Sequence, residues 1–430
     1  MKIAVIDIET TMKGPLEMRA SPYVHENRIV AIGYKLLNNW DDTGAITQLV
    51  YIYKNGEVTG YPSADLITVV NDLLTADLWV GHNLGGFDLP WLRIWMDGLP
   101  FVWMDGLSFG SLQKKLGIDI KIWDTQIVEY LLSGQLHRMP SLNEVSAKYG
   151  GTLKETAIAD AWNEGIDTED IKVEDLLPYL IEDVNNTTKV FQAQIREVAK
   201  NNMFRFIETQ MMGRLATAEM EWNGLAFDHA KATEHSDTLK ATQETLLHDL
   251  MATANGYIQS HTKSNVILFN PDSPKQIKTI LFGGTFKEKV DMPVLDDAGI
   301  PIQYKTGKRR GMIKTKQTDV EYTVPAWTRG ILFVYSDDTS EDNLEKITTD
   351  PGVKLDCKVF ITKLLAYRGV VKQLNTYYEG YGKFAIKKNP DDSISFIHSS
   401  YNHCVTRTGR LSSSKPNLQN INGKENFDDA

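Results

Sequence analysis

The chain opens with KIAVIDIE, residues 2–9, an apolar strand pattern that decides the fold of the first part of the chain. Asp7 and Glu9 lie two residues apart at its end, so a pleated strand directs both carboxylates to the same face. An isolated Asp-x-Glu pair is more often a solvated strand end than a site, because short motifs recur by chance. Two carboxylates on one face are nevertheless costly unless a cation lies between them. Other residues must therefore decide between the two interpretations.

The elements that follow predict a mixed α/β sheet. Runs rich in Val, Ile and Tyr predict further strands at 28–37, 46–53 and 78–83, and a helical pattern covers 63–74, with Ser63 as its N-cap. Strands in succession, a helix and then another strand are typical of a mixed sheet with flanking helices. From residue 124 to about 197, apolar spacings of three and four predict helices at 125–132, 141–149 and 173–191.

Composition excludes several classes of protein. The 430 residues contain two cysteines, Cys357 and Cys404, too few for a disulfide framework, and no apolar run long enough for a membrane span. We therefore expect no membrane partner and a cytoplasmic location, which is the bacterial host cytoplasm if a phage encodes the chain. The net charge of −10 argues on its own against nucleic acid. Residues 1–200 carry most of it, with 17 Lys+Arg against 28 Asp+Glu.

Two further motifs place acidic residues where they could join Asp7 and Glu9. The stretch GHNLGGFD, residues 81–88, closes a strand and begins a helix with Asp88, and Tyr179 and Asp183 share one face of a later helix. Each motif alone has an ordinary explanation, a helix N-terminal acid or a surface pair. Together, Asp7, Glu9, Asp88 and Asp183 supply the oxygen ligands that Mg²⁺ or Mn²⁺ prefers. Two such ions about 4 Å apart stabilise both oxygens of a phosphoryl displacement.

The order of these three motifs resembles that of the DEDDy 3′-5′ exonucleases of the ribonuclease H-like fold, over about residues 1–200. The resemblance implies that Asp7, Glu9, Asp88 and Asp183 bind two Mg²⁺ or Mn²⁺ ions. It implies that Tyr179 orients the attacking water and that Asn83 and Phe87 contact the DNA substrate. Asp124 also matches a recurrent family position, but an N-cap role for the following helix explains it equally well, so we leave it out of the metal set.

A polar segment near the end of the sequence points to nucleic acid. Residues 406–421 read TRTGRLSSSKPNLQNI and combine arginines, hydroxyls and amides, the usual partners of sugar and phosphate, although such a loop could also be inert. The string strongly resembles the primer-template-binding segment of family A DNA polymerases, the DNA polymerase I group. The candidate DNA-binding residues in it are Arg407, Arg410, Ser412, Asn417, Gln419 and Asn420.

Two other stretches resemble the same family in the same order. NPDSPKQI, residues 270–277, looks like a thumb segment and adds Lys275 to the DNA-binding candidates, and residues 365–378 look like the helix that follows. The resemblance implies an exonuclease domain at 1–205, a mostly helical thumb at 206–380 and the start of an incomplete palm at 381–430. Residues 285–356, with a basic run from Lys305 to Lys316, are poorly periodic and predict an exposed inserted loop.

The sequence departs from the family after Ile421, where the metal-binding palm motifs and the fingers would follow. We therefore expect DNA synthesis only with a palm and fingers part from a second polymerase chain or a longer product. A processivity factor is a further candidate partner, although the basic run is more often a solvated loop than a docking site.

The leading hypothesis is the N-terminal part of a phage-like family A DNA polymerase, acting as a proofreading 3′-5′ exonuclease on single-stranded 3′ ends and binding primer-template duplex. The alternatives are an inactive DNA-clamp subunit of a split polymerase and a freestanding DEDDy exoribonuclease. The uneven charge fits the leading hypothesis, because the acidic half would hold the cations. Residues 351–430, by contrast, carry 12 Lys+Arg against 7 Asp+Glu.

Overall fold

A computed structural model describes most of the chain: residues 1–52, 58–61, 66–97, 121–152, 157–262, 269–296, 298–304, 311–329, 336–387 and 392–421. The predicted N-cap Ser63, the residues 305–310 of the basic run and the tail 422–430 lie outside these residues. None of the helices in the described part of the chain is both long and apolar enough to cross a membrane.

The chain divides into two compact units. The first comprises Met1–His229 and Tyr381–Ala430, and the second comprises Ala230–Gly380. The functional domains expected at 1–205, 206–380 and 381–430 divide the chain differently and stay a prediction.

The first unit contains a sheet of six described strands: β1 (Ile3–Thr10), β2 (Ile29–Leu37), β3 (Thr47–Ile52), β4 (Val58–Tyr61), β5 (Leu78–Gly81) and β6 (Lys121–Asp124). Their order is β4-β3-β2-β1-β5-β6. The pairs β1–β2, β2–β3 and β3–β4 are antiparallel, whereas β5 runs parallel to β1 and β6 parallel to β5. The predicted mixed α/β sheet is confirmed.

Strand β1 lies inside this sheet because its sequence is apolar on both faces. Ile3, Ala4, Val5 and Ile6 are all fully buried. A strand covered on both faces has a nearly continuous apolar run rather than strict alternation. Asp7 and Glu9, the carboxylates that follow this run, therefore lie on a buried strand in the middle of the sheet.

Helices cover the sheet of the first unit. They are α1 (Leu66–Thr75), α2 (Asp88–Asp97), α3 (Thr125–Leu132), α4 (Leu142–Lys148), α5 (Ala157–Asn163), α6 (Val173–Lys200) and α7 (Phe204–Asn223). The long α6 is amphipathic and buries Leu176, Leu180 and Val184 against the sheet, which fixes its register. The helices expected from residue 125 onward are confirmed, and α6 extends beyond the predicted end at 191.

The C-terminal part of the chain returns to the first unit. Its short strands are β10 (Ala385–Ile386), β11 (Ile394–Ile397), β12 (Ser400–Asn402) and β13 (Ser412–Ser414), after β7 (Leu225–Asp228), to which β11 pairs. Cys404 is buried in the same core as the central sheet. The hydroxyl of Tyr130 donates a hydrogen bond to the carbonyl of Thr406 at 2.6 Å. The start of residues 406–421, the segment that resembles family A DNA polymerases, is therefore packed against the central sheet and helices of the first unit.

The second unit has a core of its own. It contains α8 (His229–His261), α9 (Pro274–Phe282), β8 (Gly284–Pro293), β9 (Thr315–Val324), α10 (Glu341–Thr349), α11 (Leu355–Lys372), a π-helical turn (Gln373–Tyr378) and α12 (Glu379–Gly382), the first and last of which extend slightly past its bounds. Phe269, Phe286, Trp327 and Phe360 pack together in its interior. The unit is largely helical, as expected.

The predicted loop over 285–356 is wrong for most of its described length. Strands β8 and β9 form an antiparallel hairpin with ten paired positions, from Gly284 with Val324 to Pro293 with Thr315. Phe286 and Tyr322 on it are buried in the core of the second unit, and α10 follows. Polar and charged residues occupy the exposed positions of both strands, so few apolar residues remain to show the period-two pattern of a strand in the sequence.

Candidate two-metal site

Strand β1 positions the first two candidate ligands. Asp7 pairs with Gly33 of β2 and Glu9 pairs with Ala31, so both carboxylates project from the same face of the sheet. That face is covered by α6: a Cβ added to Gly33 would lie 2.8 Å from Cγ of Leu180. Glycine at this position therefore lets α6 approach the sheet beside Asp7.

Helix α6 adds the third carboxylate. One oxygen from each of Asp7, Glu9 and Asp183 lies within 4.8 Å of the other two. Glu9 and Asp183 are buried, and Asp7 is half-buried. Three carboxylates this close repel each other unless a cation neutralises them. An all-oxygen set of this kind is suited to Mg²⁺ or Mn²⁺.

Asp88 lies close to this cluster but outside the group of three. It begins α2, as predicted, and its side chain is almost fully buried. Its Oδ1 has no hydrogen-bond partner in the described part of the chain. Burial above all, and then the charges of Asp124 and Glu9, raise the pKa of Asp88 well above its usual value. A buried carboxylate with an unsatisfied oxygen fits a site that takes up a cation.

Tyr179 precedes Asp183 by one turn of α6, as the i, i+4 spacing predicted. Its ring packs edge-on against Trp162, with ring centroids 5.8 Å apart. The half-buried ring lies with the apolar cluster under α6. This packing holds the tyrosine on the helix face that also carries Asp183.

The loop before Asp88 is built around Asn83, which has a left-handed backbone with φ of +60°. The carbonyl of Asn83 accepts hydrogen bonds from the N–H groups of Gly86 and Phe87 at 3.0 and 2.9 Å. A Cβ on Gly86 would lie 2.4 Å from Oδ1 of Asn83, so a larger residue there would force the Asn83 side chain to move. Asn83 and Phe87, the predicted substrate contacts, thus belong to one tight turn that leads into Asp88.

Asp124 stabilises this turn through hydrogen bonds to its backbone. Its carboxylate accepts hydrogen bonds from the N–H groups of Asn83 and Gly85 at 3.0 and 3.2 Å, and it caps α3 through Gln126 and Ile127. Burial raises the pKa of Asp124. The capping interpretation is confirmed, and Asp124 also holds the turn that precedes Asp88.

Arg214 on α7 also stabilises the turn that precedes Asp88, and the sequence analysis did not identify it. Its guanidinium donates to the carbonyl of Gly85 at 2.5 Å and to that of Tyr401 in β12 at 3.2 Å. It also forms an ion pair with Glu221 at 2.5 Å, and both side chains are buried. The one available signal was the spacing of seven residues between Arg214 and Glu221, which places them on one helix face.

The predicted DNA-binding residues fall into two places. Those of the polymerase-like segment lie together in the first unit: Arg407, Arg410, Asn417, Gln419 and Asn420 are exposed, and Ser412 is half-buried in β13. Asn417 caps a short 3₁₀ turn by accepting from the N–H of Gln419. Lys275 is exposed on α9 of the second unit, with its ammonium 5.5 Å from the ring centroid of Phe286.

Comparisons with known proteins agree on one group. Residues 332–429 match the model of DNA polymerase family A. The DNA polymerase I of Bacillus subtilis is 29% identical over 228 residues, which is 53% of this chain and 19% of that protein. The DNA polymerase I of Pseudomonas aeruginosa is 24% identical over 70% of this chain and 26% of its own length. This chain therefore spans only a fraction of the length of the curated relatives that it matches.

A solved structure has the same fold. It is described as the POL domain of Pol1 from M. smegmatis in complex with DNA primer-template and dNTP. The TM-score is 0.51 at 16% sequence identity, and the match covers 99% of this chain and 53% of the other. A likeness at this identity concerns the fold alone.

Proposed function

We propose that this chain is a component of a phage-like family A DNA polymerase and that its first unit removes nucleotides from the 3′ end of DNA. The observation that carries the proposal is the convergence of Asp7, Glu9 and Asp183 within 4.8 Å on a buried sheet face. The similarity of the chain to DNA polymerases I supports DNA, rather than RNA, as the substrate. The mixed sheet with flanking helices supports the ribonuclease H-like, DEDDy type of exonuclease.

The side chains of this site fit divalent cations. The three clustered carboxylates would hold them, and Asp88 would contribute its buried oxygen, which has no partner among the described residues. Two bound Mg²⁺ or Mn²⁺ ions would stabilise the charge that develops on the attacking and leaving oxygens. Burial raises the pKa of Asp88, and a cation bound beside it would lower this pKa and favour the ionised carboxylate.

The remaining residues act on the substrate. We assign to the hydroxyl of Tyr179 the orientation of the attacking water, since Tyr179 lies one turn from Asp183 on the same helix face. Asn83 and Phe87 would hold the terminal nucleotide, because they form the turn that leads into Asp88. Asp124 and Arg214 do not touch substrate in this scheme but fix the position of that turn.

Duplex binding is assigned to the exposed polar residues of the 407–420 segment and to Lys275. A second polymerase chain and a processivity factor stay candidate partners. An inactive clamp subunit is the main alternative. The close approach of Asp7, Glu9 and Asp183 favours the active form, because three carboxylates within 4.8 Å of one another repel unless a cation lies between them.

The test is a time course on 5′-labelled single-stranded DNA with Mg²⁺. The wild-type chain should shorten the strand one nucleotide at a time, EDTA should stop the reaction, and the double variant Asp7→Ala, Glu9→Ala should be inactive. A matched control replaces two exposed acids of the same unit, Glu26→Ala and Asp41→Ala, and should keep full activity.

Four outcomes would change the proposal. Activity retained in the Asp7, Glu9 variant means that the ligands are misassigned. Inactivity of the wild type with intact duplex binding favours the clamp subunit. Faster shortening of RNA than of DNA favours an exoribonuclease, and extension of a primer when dNTPs are added would show that this chain synthesises DNA by itself.

A further inference from the structure

A cavity of about 440 Å³ lies in the first unit between α6, the end of β2 and the loop 38–45 that joins β2 to β3. None of the proposed metal ligands lines it. Asn185 of α6 does line it, and two residues along a helix turn a side chain to nearly the opposite side, so Asn185 faces away from Asp183. The cavity is therefore separate from the carboxylate cluster, although the same helix contributes to both.

The loop that closes this cavity is fixed to α6 by side-chain contacts. The Nε2 of Gln192 donates a hydrogen bond to the carbonyl of Asp42 at 3.0 Å. One turn further along the helix, the guanidinium of Arg196 lies 5.5 Å from the ring centroid of Trp40. The cavity thus has a defined wall opposite the helix.

Lys35 is the group that points to an anionic ligand. This half-buried side chain lines the cavity, and its ammonium donates to Oδ1 of Asn185 at 2.5 Å but forms no ion pair within the described residues. Burial, and then the charge of Lys189, lower the pKa of Lys35, and the charge of Asp42 offsets this only in part. A half-buried cation beside a second cation is unfavourable until an anion joins them.

Two more donors face the same space as Lys35. The Oδ1 of Asn185 also accepts from the hydroxyl of Thr47 at 3.2 Å, whereas its Nδ2 is accessible and has no partner among the described residues. Lys189 follows Asn185 by one turn on the same helix face, is exposed, and forms no hydrogen bond with the described part of the chain. Two ammonium groups and an amide suit a phosphate group, which offers several charged acceptor oxygens.

Two acids also line the cavity, and neither competes for the position between the lysines. The two oxygens of Asp42 already accept from the N–H groups of Asn38 and Gly44, at 3.0 and 2.9 Å. Glu182 is half-buried and lies seven residues before Lys189, roughly 10 Å along the helix. Its carboxylate is an acceptor suited to a sugar hydroxyl, so the cavity has a cationic end and an acceptor end.

The size and the remaining wall of the cavity exceed what free phosphate needs. A volume of about 440 Å³ lies within the roughly 300–1,000 Å³ of small-molecule sites. Ala45, Pro178 and Ile181 add apolar surface to the wall. An apolar wall with a few polar groups at defined positions is typical of a site for an organic ligand.

We propose that this cavity binds a nucleoside monophosphate, with its phosphate between Lys35, Asn185 and Lys189 and its base against the apolar wall. The ligand is thereby held apart from the carboxylate cluster, on the other side of the helix that carries Asp183. The inference rests on the proposed function only for the choice of a nucleotide, since an exonuclease releases nucleoside monophosphates.

The test is isothermal titration calorimetry with thymidine 5′-monophosphate (dTMP) in HEPES buffer with EDTA, which keeps the carboxylate cluster free of metal. The wild type should bind one dTMP, inorganic phosphate should bind more weakly, and thymidine should not bind. Lys35→Gln should weaken dTMP binding about tenfold or more, and Lys189→Gln about three- to tenfold, because each removes a charged donor to the phosphate. The control Lys200→Gln removes an exposed cation from the end of α6, outside the cavity, and should bind as the wild type.

Amide hydrogen exchange locates the bound nucleotide independently of affinity. Saturating dTMP should slow exchange in the loop 38–45 and leave residues 83–88, beside the carboxylate cluster, unchanged. Slower exchange confined to 83–88, or wild-type affinity in both lysine variants, would overturn the inference. Thymidine that binds as tightly as dTMP would overturn the phosphate contact, and phosphate that binds as tightly as dTMP would overturn the nucleotide assignment.

The same preparations separate this inference from the proposed function. If the wild type removes nucleotides from DNA in Mg²⁺ but dTMP binding does not depend on the two lysines, only the cavity assignment fails. If dTMP binds as expected while the wild type is inactive on DNA and RNA, the exonuclease assignment fails and the nucleotide site stands. Lys189 is exposed, so its variant tests the inference even if Lys35→Gln does not fold.

Discussion

Replacing Arg214 by methionine is the most informative perturbation of the structure around the candidate site. The guanidinium donates two hydrogen bonds to the carboxylate of Glu221, at 2.5 and 3.2 Å, and one each to the carbonyls of Gly85 and Tyr401. Both members of the ion pair are less than 10% exposed. Methionine has a similar length but no charge and no donor, so the variant leaves Glu221 as a buried, unpaired carboxylate.

The expected loss of stability follows from these contacts. Removal of one partner from a buried ion pair costs about 3–5 kcal/mol, because the remaining charge is left unpaired. In the double variant Arg214→Met, Glu221→Gln no charge is left, and the loss should be about 3 kcal/mol, roughly 1 kcal/mol for each of the three acceptors that lose their donor: the carbonyls of Gly85 and Tyr401 and the hydroxyl of Thr217. The double variant should therefore be more stable than Arg214→Met alone.

Amide hydrogen exchange measures this effect where it acts. In Arg214→Met, the amides of residues 83–87 and 400–403 should exchange by a local opening that is lower in free energy by the amounts above. Amides of β8 and β9 in the second unit should be unchanged. A single variant that costs less than about 1 kcal/mol, or a double variant that costs as much as the two single changes added, would refute the role assigned to Arg214.

Three further perturbations test other parts of the structure. Gly33→Ala places a methyl group 2.8 Å from Leu180, so α6 must shift, and we expect a loss of about 1–3 kcal/mol in stability by urea unfolding and at least about a hundredfold in nucleotide release. Asp88→Asn should abolish nucleotide release but stabilise the metal-free chain at pH 7. The reason is that the raised pKa of Asp88 makes its ionised form unfavourable in the folded state. Equal melting temperatures for variant and wild type in EDTA would contradict this expectation. Burial and the charge of Arg214 lower the pKa of His403 from 6.5 to about 4, so between these pH values the folded state binds fewer protons than the unfolded state. The free energy of unfolding should therefore fall by at most about 3 kcal/mol as the pH drops from 6.5 to 4. His403→Gln should remove this dependence when unfolding is measured over the same pH range.

The local pattern was sufficient to predict most of the first unit. The apolar run before Asp7 predicted a buried strand, and the strands and helices of the sheet followed from period-two and period-3.6 patterns. The hairpin of β8 and β9 was missed because its exposed face carries Lys, Thr and Glu in a stretch also rich in Gly and Pro. Its two strands are joined only by long-range pairing, from Gly284 with Val324 onward, which no local signal reports.

The residue types and spacing suggested Asp7, Glu9, Asp88 and Asp183 as oxygen ligands, and the resemblance of the motif order to the DEDDy exonucleases assigned all four to one site. The tertiary structure decided which of them meet. Asp7, Glu9 and Asp183 come within 4.8 Å because Gly33 admits α6 to the sheet, whereas Asp88 remains beside them in a buried environment of its own. The hydrogen bonds from Arg214 to Gly85 and to Tyr401 join segments more than a hundred residues apart. Such contacts depend on how whole elements pack, and packing is a property of the folded chain rather than of any local run of residues.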